Sequence, residues 1–145
     1  MVIGQMHAPP ADTAGSPPWN QELYTDGSFA VVLRGGNELS PTVTLPYTLG
    51  TYPYDVWNRF VYRLQFDNSG NALGQMDMYV NGTEVFSYAS NGPVNMGYTG
   101  DGIGPYFKRG IYRSTTLGTA IVEYGNVEFG LNSLLSRVTN PLPLP

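Results

Sequence analysis

Glycine and proline interrupt this chain so often that long helices are excluded. Eighteen Gly and twelve Pro are spread over 145 residues, and between them stand short runs in which apolar and polar residues alternate. Alternation with period two is the pattern of a half-buried strand, and frequent breakers turn it into many short strands joined by turns. The chain is 13% aromatic and only 12% charged, the reverse of a disordered composition. No apolar run approaches the roughly 18 residues of a membrane span. The start, Met1-Val2-Ile3-Gly4, shows no basic segment followed by an apolar one, so no signal peptide is visible. With no Cys there is no disulfide and no thiolate metal site. A net charge of −4 argues against general nucleic-acid binding.

Read along the chain, Val2 to His7 is a short strand with Gln5 and His7 on one side and Met6 on the other. A proline-rich loop is expected from Ala8 to Gly27, then a strand from Phe29 to Arg34 closed by Gly35-Gly36, and another from Thr42 to Leu45. Trp57 to Phe66 puts Phe60, Tyr62, Leu64 and Phe66 on one face. Gly74 to Val80, the dipeptide Asn81-Gly82 and Thr83 to Tyr88 read as a hairpin, because Asn-Gly suits a type I′ turn. After a loop from Ser90 to Pro105, strands are expected at Tyr106 to Arg113 and Thr119 to Phe129, then a helical turn or last strand over Asn132 to Arg137. Seven or eight strands point to an all-β, two-sheet antiparallel sandwich. Residues 1–139 form one domain, and 140–145 a Pro-rich tail.

Three of the seven basic residues, Lys108, Arg109 and Arg113, fall in one strand, Tyr106 to Arg113. Alternation sets Tyr106, Lys108, Gly110 and Tyr112 on one face, which is either an ordinary exposed face or an anion-holding one. His7, the only histidine, and Gln5 share a face of the first strand. Such a set can hold an anion and move protons. One His without Cys makes a transition-metal site a poor reading.

These residues carry a family resemblance. Gln5-Met6-His7 resembles the Gln-(Ile/Val)-His motif of β-jelly-roll polysaccharide lyases of the alginate lyase type, and Tyr106-Phe107-Lys108-Arg109-Gly110-Ile111-Tyr112 is similar to their Tyr-Phe-Lys-x-Gly-x-Tyr motif. The continuation to Arg113 also resembles glucuronan lyase and heparin lyase I sequences. The resemblance implies a concanavalin-like jelly roll, secretion, and cleavage of an acidic, uronate-containing polysaccharide by β-elimination without a cofactor. It assigns Gln5 to the substrate carboxylate, His7 to assisting it or acting as base, and Tyr112 to the acid, or to acid and base together. Lys108 would hold substrate oxygens, and Tyr106 would line the site or only pack. In the family an earlier strand supplies a carboxylate-binding Arg, whereas only six residues precede His7. Arg34, Arg59 and Arg63 are the candidate substitutes, and no motif assigns the role to any of them. Missing first strands would expose sheet edges and invite a strand-completing partner chain or a homo-oligomer. The alternative function is a non-catalytic carbohydrate-binding or structural domain derived from this fold.

Other features have local readings. Asn81-Gly82-Thr83 matches a glycosylation acceptor but is explained by its turn. Asp67-Asn68-Ser69-Gly70-Asn71 can offer oxygens to a structural Ca²⁺, yet is short for a calcium loop and reads as a turn; Asp101 is similarly ambiguous. Glu123 and Glu128 are the residues a glycosidase reading would use. Trp19 and Trp57 are candidate sugar platforms, with Trp57, at a strand start, the better core residue.

Overall fold

A computed structural model describes residues 1–7, 16–51, 55–99, 105–112, 121–130, 134 and 136–140, without the side chains of Thr44, Leu45 and Tyr112. The strands are β1 (Val2–His7), β2 (Trp19–Leu23), β3 (Ser28–Asn37), β4 (Ser40–Thr51), β5 (Phe60–Gln65), β6 (Gln75–Val80), β7 (Thr83–Phe86), β8 (Gly97–Tyr98) and β9 (Tyr106–Tyr112). One-turn helices α1 (Tyr88–Asn91) and α2 (Ser136–Thr139) complete the described elements. The chain is an all-β sandwich. A six-stranded sheet in the order β4-β3-β2-β1-β9, with β8 beside β3, faces a three-stranded sheet β5-β6-β7. All pairings between named strands are antiparallel except β3 with β8.

Several strands follow from local chemistry. At the β6–β7 turn, Asn81 and Gly82 both have positive φ, 52° and 86°, which the type I′ turn requires. Phe60, Tyr62, Leu64 and Phe66 pack against the core as their alternation predicts. Strand β4 runs through Pro41 and Pro46, beyond its expected limits. It lies at the end of the sheet order, where a missing backbone donor is tolerated. Strand β3 likewise continues past Gly35-Gly36. A side chain at Gly35 would overlap Asn95, so glycine is what lets β8 approach.

Three expectations are corrected. The expected loop from Ala8 to Gly27 contains β2, a central strand between β1 and β3. Its polar residues Asn20 and Gln21 are buried because they have partners elsewhere in the fold. The expected strand from Thr119 to Phe129 is not formed over residues 121–130, which have no regular structure. That segment instead lies by β1 and β9: the Tyr124 hydroxyl donates to the Ile3 carbonyl oxygen at 2.7 Å, and the Phe107 and Phe129 rings are 5.4 Å apart. The two tryptophans exchange their expected places. Trp19 is 1% exposed in the core, whereas Trp57 is 38% exposed. Asp101, Arg113, Asn132 and residues 141–145 of the tail lie outside the described residues.

The core lies between the sheets. Trp19, Leu23, Phe29, Val31 and Leu33 from the large sheet meet Met76, Met78, Val80 and Phe86 from the small one. Edge-on ring pairs cross the interface, Trp19 with Tyr62 at 5.2 Å and Tyr47 with Phe86 at 5.0 Å. The Tyr62 hydroxyl donates to Gln21 Oε1 at 2.6 Å, giving the buried amide oxygen a partner. This packing covers the inner face of the large sheet and leaves its other face turned away from the core.

Candidate functional site

The outward face is read from register, since directly opposed residues of antiparallel strands share a face. Lys108 on β9 opposes Gln5 on β1, Gln5 opposes Asn20 on β2, and Asn20 opposes Val32 on β3. In the adjoining row Tyr106 opposes His7. Arg34 enters beside it, its backbone amide donating to the Pro18 carbonyl oxygen at 2.9 Å. The core-facing residues of the same strands, Met6, Trp19, Leu33 and Phe107, alternate with these. Gln5, His7, Lys108, Tyr106 and Arg34 are thus gathered on one face.

Their contacts define the local chemistry. The His7 and Tyr106 rings lie 5.7 Å apart, tilted by 38°. Lys108 Nζ stands 5.0 Å from the Tyr106 ring centroid, a cation–π distance. Tyr106 thus stands beside both an imidazole and an ammonium. Arg34 Nη1 donates to Asn20 Oδ1 at 2.8 Å and to the Pro17 carbonyl oxygen at 3.0 Å. Asn20 Nδ2 in turn donates to Glu22 Oε1 at 2.7 Å, and the Tyr24 hydroxyl donates to Glu22 Oε2 at 2.9 Å. Burial, followed by the hydrogen bond to Glu22, raises the Tyr24 phenol above its usual value, so at neutral pH it remains a donor. Three cationic or protonatable groups converge here with two amides, Gln5 at 7% exposure and Asn20 at 2%. Such a face can hold a carboxylate, and it keeps an imidazole near the place where that carboxylate would lie.

Other candidates lie elsewhere. Arg59 and Arg63 belong to the small sheet. The Arg59 backbone exchanges bonds with Asn81, its amide donating to Asn81 Oδ1 at 2.9 Å. Arg63 Nε pairs with Asp77 Oδ2 at 2.5 Å, while Asp77 Oδ1 accepts from the Tyr88 amide at the start of α1. The structure separates both arginines from the Gln5 face and leaves Arg34 beside it. Tyr112 sits on β9 with its backbone opposite Val2; its side chain is outside the described residues. Glu128 is held by Arg137, with Arg137 Nε to Glu128 Oε2 at 2.7 Å. Asp67 closes a turn, accepting from Ser69 and from the Leu73 amide. A cavity of about 460 Å³ lined by Phe107, Arg109, Val127 and Phe129 opens on the other face of β9, away from Lys108.

Sequence reasoning passed over Asn20, Glu22 and Tyr24, all within the expected loop. A readable sign was present. Asp26-Gly27 separates two alternating runs, a hairpin pattern, and Gly27 has φ 84° in the β2–β3 turn.

The model of a protein family described as polysaccharide lyase matches residues 1–128. Neither the curated proteins nor the solved structures contain a match. The family match spans both motif strands and the sheet that brings them together, and the chain belongs to the polysaccharide lyase family.

Proposed function

We propose that this domain cleaves a uronate-containing polysaccharide by β-elimination on the outward face of the large sheet. The observation that carries the reading is the row Lys108–Gln5–Asn20, with His7 opposite Tyr106 in the next row. The C5 proton of a uronate becomes removable once charge on its carboxylate is neutralised. Gln5 and Arg34 supply hydrogen-bond donors for that carboxylate, and Lys108 holds neighbouring sugar oxygens. His7 or Tyr112 takes the C5 proton, and the C5–H electron pair moves into the neutralised carboxylate as an enolate. That pair forms the C4–C5 double bond as the C4–O4 bond breaks, and O4 leaves with a proton from Tyr112. Atoms and charge balance without water. Proton transfer by a placed side chain contributes roughly 10² to 10⁴-fold, and donors aimed at developing charge add to it.

The test is incubation of the protein with polyglucuronate, alginate and heparin, following ultraviolet absorbance of the unsaturated uronate. Product is expected from at least one substrate, and Tyr112→Phe should remove it. Retained binding without product from the unmodified protein would replace this reading with a carbohydrate-binding domain.

A further inference from the structure

We propose that Glu22, acting through Asn20, is a positioning residue for Arg34 and thereby sets how tightly a uronate carboxylate is held. The inference rests on the reading of this face as the uronate site. A primary amide has nearly the same shape in either orientation, so its partners decide which end points where. An ionised Glu22 can only accept, and it takes the Asn20 Nδ2 hydrogen at 2.7 Å. That leaves Oδ1 toward Arg34, which can only donate and does so at 2.8 Å. Were Glu22 absent, the amide could turn its NH₂ toward the guanidinium, setting donor against donor. Asn20 is buried, so water is a poor replacement.

Two further contacts complete the device. The Tyr24 hydroxyl steadies the second oxygen of Glu22. On Arg34, both hydrogen bonds to the protein use Nη1. Among the described residues this leaves Nε and Nη2 to donate to a ligand. A guanidinium fixed along one edge presents the other as a ready fork for a carboxylate.

The experiment is a double-mutant cycle on the full chain, with polyglucuronate as substrate and with affinity measured in parallel by calorimetry. Glu22→Ala should raise KM about tenfold, as expected for a misdirected hydrogen bond to a charged group, with kcat changing less. Glu22→Gln, which keeps an acceptor oxygen, should recover most of the loss. In an Arg34→Ala background, adding Glu22→Ala should cost under about twofold. An equal penalty in both backgrounds, or an unchanged KM, overturns the proposal. If circular dichroism shows Glu22→Ala unfolded, Asn20→Leu replaces it: the same rise in KM is expected, and an unchanged KM overturns the role. Wild-type binding without product defeats the lyase reading alone, and the same cycle read in affinity then decides the positioning role. Neither cleavage nor binding of polyglucuronate, alginate or heparin overturns both.

Discussion

The two faces of the large sheet are built from the same strands yet bury their residues by different means. On the inner face Trp19, Leu33 and Phe29 are covered by apolar side chains of the small sheet. On the outer face Gln5 and Asn20 are buried nearly as deeply, although both are amides. Apolar burial is favourable without direction, at about 25 cal/mol per Å². An amide must find partners or lose roughly 1–3 kcal/mol. The inner face therefore holds the fold together through shape and area. The outer face is held by specific bonds, Arg34 to Asn20 to Glu22 to Tyr24, so its geometry depends on a few atoms. A change on the inner face should act on stability, and one on the outer face on substrate binding or turnover.

The largest effect is expected at Trp19. Trp19→Ala opens the core beneath the Tyr62 ring and should lower unfolding free energy by about 3–5 kcal/mol, read by urea denaturation. Activity per folded molecule should fall far less than in Tyr112→Phe. Wild-type stability in Trp19→Ala would break the contrast between the faces. Lys108→Ala is the converse. It removes the ammonium above Tyr106 and should lower kcat/KM about tenfold, with stability changing by under about 1 kcal/mol. A loss of stability without loss of turnover would assign Lys108 to structure.

The smallest effect concerns a turn that belongs to neither face. Hydrogen bonds from the Ser69 hydroxyl, then from the Leu73 and Ser69 amides, hold the Asp67 carboxyl below its ordinary value. A depressed folded value stabilises the protein above the unfolded carboxylate range near pH 4 and is lost as pH falls through the folded value. Asp67→Asn should therefore lower the melting temperature slightly at neutral pH and remove part of its decline in acid. A parallel shift at every pH would show that Asp67 contributes no linkage.

Much of the fold can be read from local chemistry. Asn81-Gly82 dictates its own turn, and Phe60, Tyr62 and Leu64 declare a buried face through spacing alone. Strand β2 was not read, because Trp19-Asn20-Gln21-Glu22-Leu23 looks polar until Arg34 and Tyr62 arrive as partners. The opposite failure occurs at 121–130, where alternation is present but no strand forms. A strand needs a neighbouring edge to bond with, and periodicity does not say whether one is available.

The same division applies to the site. Taken alone, the sequence determined that Gln5 and His7 share a face, that Lys108 shares one with Tyr106, and that short strands must build the fold. Alternation is a property of the backbone and needs no partner. Only the tertiary structure decided that β1 lies between β2 and β9, which brings the two motif faces together. It also placed Arg34, rather than Arg59 or Arg63, beside them. Strand order and register arise from contacts between residues distant in sequence. A residue's partners across a sheet are therefore not written in its own neighbourhood.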